Sequence, residues 1–72
     1  MENLPPLVIG DFQYVPQQNK LVLLLFPTGD VAEFSSIETA ELYLRSARTA
    51  GAPGAELTGL FFYQYGQWHR LH

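Results

Sequence analysis

The chain contains no cysteine, which removes disulfides and thiolate metal sites from consideration. A domain this small ordinarily leans on such a staple, on a metal or on a second subunit. Its 72 residues bury only about 60% of the surface that the unfolded chain exposes. Stability must then come from dense packing or from self-association. The lack of cysteine also fits a reducing compartment. Positive charge is scarce. Lys20, Arg45, Arg48 and Arg70 are the only basic residues against seven acids, for a net charge of −3. They are scattered, whereas counterion release from a phosphate backbone needs a cluster. Nucleic acid is accordingly disfavoured as a partner. The longest apolar run, Leu21 to Pro27, falls far short of the roughly 20 residues that cross a bilayer. The acidic opening Met1-Glu2-Asn3 is unlike a signal peptide, which starts basic. Together these absences point to a cytoplasmic protein with no membrane span.

Catalytic and cofactor signatures are missing too. No G-x-S-x-G elbow surrounds Ser35 or Ser36, and a helix cap accounts for both hydroxyls. Gly51, Gly54 and Gly59 follow neither phosphate-loop nor dinucleotide-fold spacing. His69 and His72 stand three apart on an expected strand, so they point to opposite faces and do not share one ion. Asp30 is expected in a turn, Glu38 in a helix cap and Glu33 facing solvent on a short edge strand. No acid, base and nucleophile converge, so neither an enzyme nor a cofactor is expected.

Apolar residues, by contrast, are plentiful. They make up 47% of the chain, while only 15% is charged, too apolar a mixture for a disordered segment. The chain is expected to form a single domain over residues 1–72, with 1–6 as an extended lead-in ending at Pro5-Pro6. Leu7 to Val15 reads as a first strand, with Phe12 and Tyr14 on one face and Asp11 and Gln13 on the other. Pro16 to Asn19 is a turn. Lys20 to Phe26 is apolar on both faces, which marks a central, doubly covered strand. Pro27-Thr28-Gly29-Asp30 turns the chain into a third strand, Val31 to Phe34.

Ser35 and Glu38 have the spacing of a capping box, which starts a helix running to about Ala50 with Gly51 as its stop. Its apolar stripe is Ile37, Ala40, Tyr43, Leu44, Ala47 and Ala50. Glu41 and Arg45 stand in the favourable order for a helical ion pair. Leu42 falls on the opposite, polar face. Leu57 to Gln64 and Gln67 to Leu71 form the last two strands around a Tyr65-Gly66 loop. That register sets Tyr63 opposite Trp68 and Phe61 opposite Arg70 on one face, with Phe62 opposite His69 on the other.

The expected fold is α+β: a four- to five-stranded, mostly antiparallel sheet with one helix packed on one face, in the order β-β-β-α-β-β. One helix covers one face only. The other face is apolar as well, so it must curl into a barrel or meet another molecule. The expected function is therefore a non-enzymatic protein-interaction module, either a homodimer or a small regulator of another protein. Phe61, Tyr63, Trp68, Arg70 and Leu42 are its candidate contact residues. A small-ligand or sugar-binding domain using the same aromatics is the alternative.

Overall fold

A computed structural model describes residues 4–17 and 19–71. The chain is α+β, with one α-helix and six strands in two antiparallel sheets among the described residues. Strands β1 (Leu7–Ile9) and β2 (Phe12–Tyr14) form a two-stranded sheet. Strands β3 (Val22–Leu25), β4 (Val31–Phe34), β5 (Gly59–Gln64) and β6 (Gln67–Arg70) form a four-stranded sheet in the order β4-β3-β5-β6. The helix α1 (Ile37–Thr49) lies between β4 and β5 in sequence.

The order is thus β-β-β-β-α-β-β, which corrects the expected single strand over Leu7 to Val15. That stretch folds back on itself at Gly10-Asp11, pairing Ile9 with Phe12, Val8 with Gln13 and Leu7 with Tyr14. The cause is local. Gly10 takes φ = +56° at the first position of a two-residue loop, where only glycine is unstrained. The outcome is a detached hairpin, not a fifth strand of the main sheet.

Within the main sheet, β3 and β5 are central, as the doubly apolar pattern of β3 demands. Val22, Leu24 and Leu60 face the helix and pack with Ala40 and Leu44, flanked by Phe34, Ile37 and Phe62. Leu23 and Phe61 face the other way and pack with Leu7 of the hairpin, flanked by Tyr14, Val31 and Trp68. The second face is therefore roofed from within the chain by β1 and β2. The expectation that this face lacks a cover is corrected: the hairpin is the second layer.

Helix capping is shifted by one residue from expectation. The N-cap is Ser36, not Ser35, and its hydroxyl accepts the Thr39 N–H at 3.2 Å. At the other end the Gly51 N–H reaches the Arg48 carbonyl and the Ala52 N–H reaches the Ala47 carbonyl, the paired bonds of a Schellman stop. The chain then makes a 3-10 turn over Ala55–Leu57 before β5 begins at Gly59, so Leu57 is not part of the strand as expected. The β5–β6 register matches expectation: Phe61 with Arg70, Phe62 with His69, Tyr63 with Trp68.

The loop that sets that register is strained. Tyr65 and Gly66 both have positive φ, +55° and +80°, the geometry of a two-residue loop that favours Asn-Gly. Tyrosine in that region costs about 1–2 kcal/mol, and the Tyr65 side chain is 86% exposed, with no burial to offset it. Tyr65→Asn should therefore raise stability by about 1 kcal/mol, read as a higher midpoint in urea unfolding with an unchanged slope.

Candidate functional site

The main sheet's outer face, on the side away from α1, gathers most of the sequence-predicted site. The shared orientation of Phe61, Tyr63, Trp68 and Arg70 follows from the alternation of β5 and β6. The Tyr63 and Trp68 rings meet at 5.4 Å between centroids, tilted by 59°. The Arg70 guanidinium sits 5.5 Å from the Phe61 ring centre, within cation–π range. Beneath that pair lies Gly59, where a Cβ would come within 3.0 Å of the Phe61 ring and 3.6 Å of the guanidinium. The bare backbone there gives the ring and the arginine room to lie flat on the sheet.

The structure divides these residues by access. Phe61 is buried, Tyr63 and Trp68 are half-buried, and Arg70 is exposed. Leu42 is exposed on α1, which packs on the opposite face of the sheet, so it does not join the others. His69 also lies on the helix side. Its ring stacks on Phe62 at 5.2 Å, and its Nε2 donates to the Gln64 carbonyl at 3.0 Å, since that oxygen only accepts. His72, and with it the question of a His69–His72 pair, lies outside the described residues, as do Met1 to Asn3 of the lead-in. Among the described residues no cluster of three or more His, Asp and Glu is placed to hold a metal ion. No helix among them is long and apolar enough to cross a membrane.

Two anchors hold the β1–β2 hairpin over this face. Trp68 donates its indole N–H to the Pro5 carbonyl at 2.9 Å. At the other edge of the sheet, the Tyr14 hydroxyl donates to the Glu33 carboxylate, which also receives the Gln17 backbone N–H at 3.3 Å. Glu33 is thus a tether for the hairpin, not the purely solvent-facing edge residue expected from its strand position. These contacts join residues distant in sequence, and local patterning carries no sign of them. The hairpin itself did leave a signal: Gly-Asp flanked by Ile9 and Phe12 is a recognised loop pair.

Because the hairpin is narrower than the sheet, it leaves two clefts beside it. One, of 290 Å³, runs between the hairpin loop and the chain around Pro27, Leu57 and Gly59. The other, of 420 Å³, runs along β6 past Pro5, Val8 and Trp68. Both are lined by Ile9, Phe61 and Arg70, so they adjoin along one largely apolar strip with Arg70 on it. Exposed Leu57, Val8 and Ile9, at 77%, 60% and 37%, border it. Local patterning does not point to these three, since it assigns Leu57 to a strand and Val8 and Ile9 to the main sheet. In comparisons with known proteins, no family model, curated protein or solved structure matches the chain.

The Tyr14–Glu33 bond has an electrostatic consequence. The hydrogen bond to Glu33 is the main cause, with burial and the carboxylate's charge adding to it, that pushes the Tyr14 hydroxyl up to about 12 from the usual 10.0. Proton binding is thus tighter in the folded state. The stability this gives is fully present below pH 10 and is lost as pH rises from 10 towards 12. Tyr14→Phe should lower stability at neutral pH by about 1 kcal/mol. The gap between wild type and variant, followed by urea unfolding, should close across that alkaline range.

Proposed function

We propose that the chain is a non-enzymatic protein-interaction module, acting as a homodimer or as a small regulator of another protein. Its contact surface is the apolar strip beside β1 and β6. The supporting observation is that two clefts share Ile9, Phe61 and Arg70 and are bordered by Val8 and Leu57. Exposed apolar side chains gathered at one place on a small domain are a mark of interaction surfaces. Trp and Arg, among the residues richest in binding hot spots, stand along its β6 side as Trp68 and Arg70, with the Tyr63 ring against Trp68. The cysteine-free composition suits a reducing cytoplasmic setting.

A small-ligand or sugar site at the same aromatics has less support. The Trp68 N–H is already engaged by Pro5, and its ring leans on Tyr63. Both clefts are open troughs, whereas small-molecule sites enclose most of their ligand.

Sedimentation velocity from micromolar to near-millimolar protein tests the strip as a self-association surface. The 8.1 kDa species should give way to one of twice that mass as concentration rises. Val8→Ser and Leu57→Ser are surface changes of little consequence for folding, and each should weaken the association by about tenfold or more. An 8.1 kDa mass throughout, or a dimer indifferent to both substitutions, would count against the strip as that surface.

A further inference from the structure

We propose that two copies of this chain pair edge to edge through their β6 strands, antiparallel about a twofold axis at Trp68, so that the two main sheets become one continuous sheet. The inference rests on the strip beside β1 and β6 being a contact surface, and it names the occupant and the register.

Both layers of the molecule end in an unpaired strand on the same side. Among the described residues β6 closes one edge of the main sheet, with β5 as its strand neighbour. Over it, β1 pairs with β2 alone. The Pro5 carbonyl on the Trp68 indole sets β1 at the β6 edge, while Tyr14 on Glu33 sets β2 at the β4 edge. The two edges are not alike. At β4 the Glu33 carboxylate is engaged by Tyr14 and by the Gln17 N–H, so the chain runs past that edge. β6 carries no proline, no lysine and no bulge, the devices that keep an edge strand from pairing.

The Tyr65-Gly66 loop decides which backbone groups turn outward. Gln67 and His69 bond back to β5, and the Leu71 N–H meets the Leu60 carbonyl at 2.8 Å. The Trp68 N–H and carbonyl, in the alternate phase, point away from β5. Setting Trp68 opposite Trp68 of the second copy then places Gln67 against His69 and Gly66 against Arg70, so no like charges meet. It also puts a tryptophan at the centre of the contact, where hot spots gather.

Tyr65 gives independent support. It holds a φ of +55° while its side chain is 86% exposed, so the strain is kept for a ring that the chain itself barely covers. Strained backbone of this kind collects at functional sites. In this register Tyr65 comes opposite the exposed Leu71 of the other copy, at the end of β6 where Arg70 and Leu57 line the first cleft. Above the axis the two β1 strands face each other, which shields Val8. Both ends of the strip are thereby covered.

Sedimentation velocity on the wild type and Tyr65→Asn tests the pairing, together with isotope-filtered NMR on a wild-type dimer mixed from carbon-13-labelled and unlabelled copies. Tyr65→Asn should raise the urea midpoint of the dilute monomer yet weaken dimerisation by about tenfold or more, a split that a purely structural role does not produce. In the mixed dimer, Hα of Gln67 in one copy should contact Hα of His69 in the other, because such non-bonded pairs bring Cα atoms to about 4.5 Å. Within one copy the two residues stand two apart on one strand and give no such signal. A dimer weakened by Val8→Ser and Leu57→Ser that lacks this signal overturns the pairing and leaves the strip as a docking surface. A dimer equally tight in Tyr65→Asn overturns the pairing as well. A mass of 8.1 kDa at every concentration overturns the pairing and self-association through the strip together.

Discussion

Two central strands that are apolar front and back set the terms for everything else in this fold. Leu24 and Leu60 point to one side of the sheet, Leu23 and Phe61 to the other, and all four are buried. Leaving one such side chain wet costs about 1.5–3 kcal/mol, a large share of what a domain this size has to spare. Both faces must therefore be dry, and the described residues hold a single α-helix, of 13 residues. The helix closes one face through Ala40 and Leu44. The remaining face is left to the segment that precedes the sheet, and that segment meets the demand by folding into a hairpin of its own.

The two covers are attached in different ways. The helix enters directly from β4 through Ser35 and the Ser36 cap, stops at a Schellman turn, and runs across the sheet as a broad ridge. The hairpin is narrow, joins through a longer connection and is tied at opposite corners, by Trp68 to Pro5 on one side and by Tyr14 to Glu33 on the other. Clefts flank it because a pair of three-residue strands cannot span four. Asymmetry of cover is what locates the proposed contact surface. It also explains why the aromatic residues of the last hairpin are divided between core and surface.

Local chemistry made much of this legible in the sequence. The double apolar face of β3 announced a central strand, and a two-residue loop at Tyr65-Gly66 was enough to fix the partners of Phe61, Phe62 and Tyr63. The helix limits were visible in its glycine stop and apolar stripe. The capping serine is ambiguous in the sequence because Ser35 and Ser36 offer the same hydroxyl, and only the backbone decides that Ser36 bonds the N–H three residues on. The β1–β2 hairpin is hidden in the sequence because Phe12 and Tyr14 alternate as a single longer strand would, which masks the Gly10-Asp11 break inside it. Local patterning sends Glu33 to solvent because its partner Tyr14 lies 19 residues away. Contacts of that kind belong to the packing of layers and leave no periodic trace. The candidate residues on β5 and β6 followed from alternation, while Val8, Ile9 and Leu57 depended on the hairpin that local patterning did not reveal.

The vacancy of a side chain at Gly59 reaches further than its own strand. With no Cβ there, the Phe61 ring settles onto the backbone and the Arg70 guanidinium settles onto the ring, a stack low enough for Ile9 to lie alongside. Position 59 thus sets the headroom under the small sheet. A methyl group at that point would lift the aromatic ring, tilt the arginine towards the solvent and alter the depth of both troughs at once.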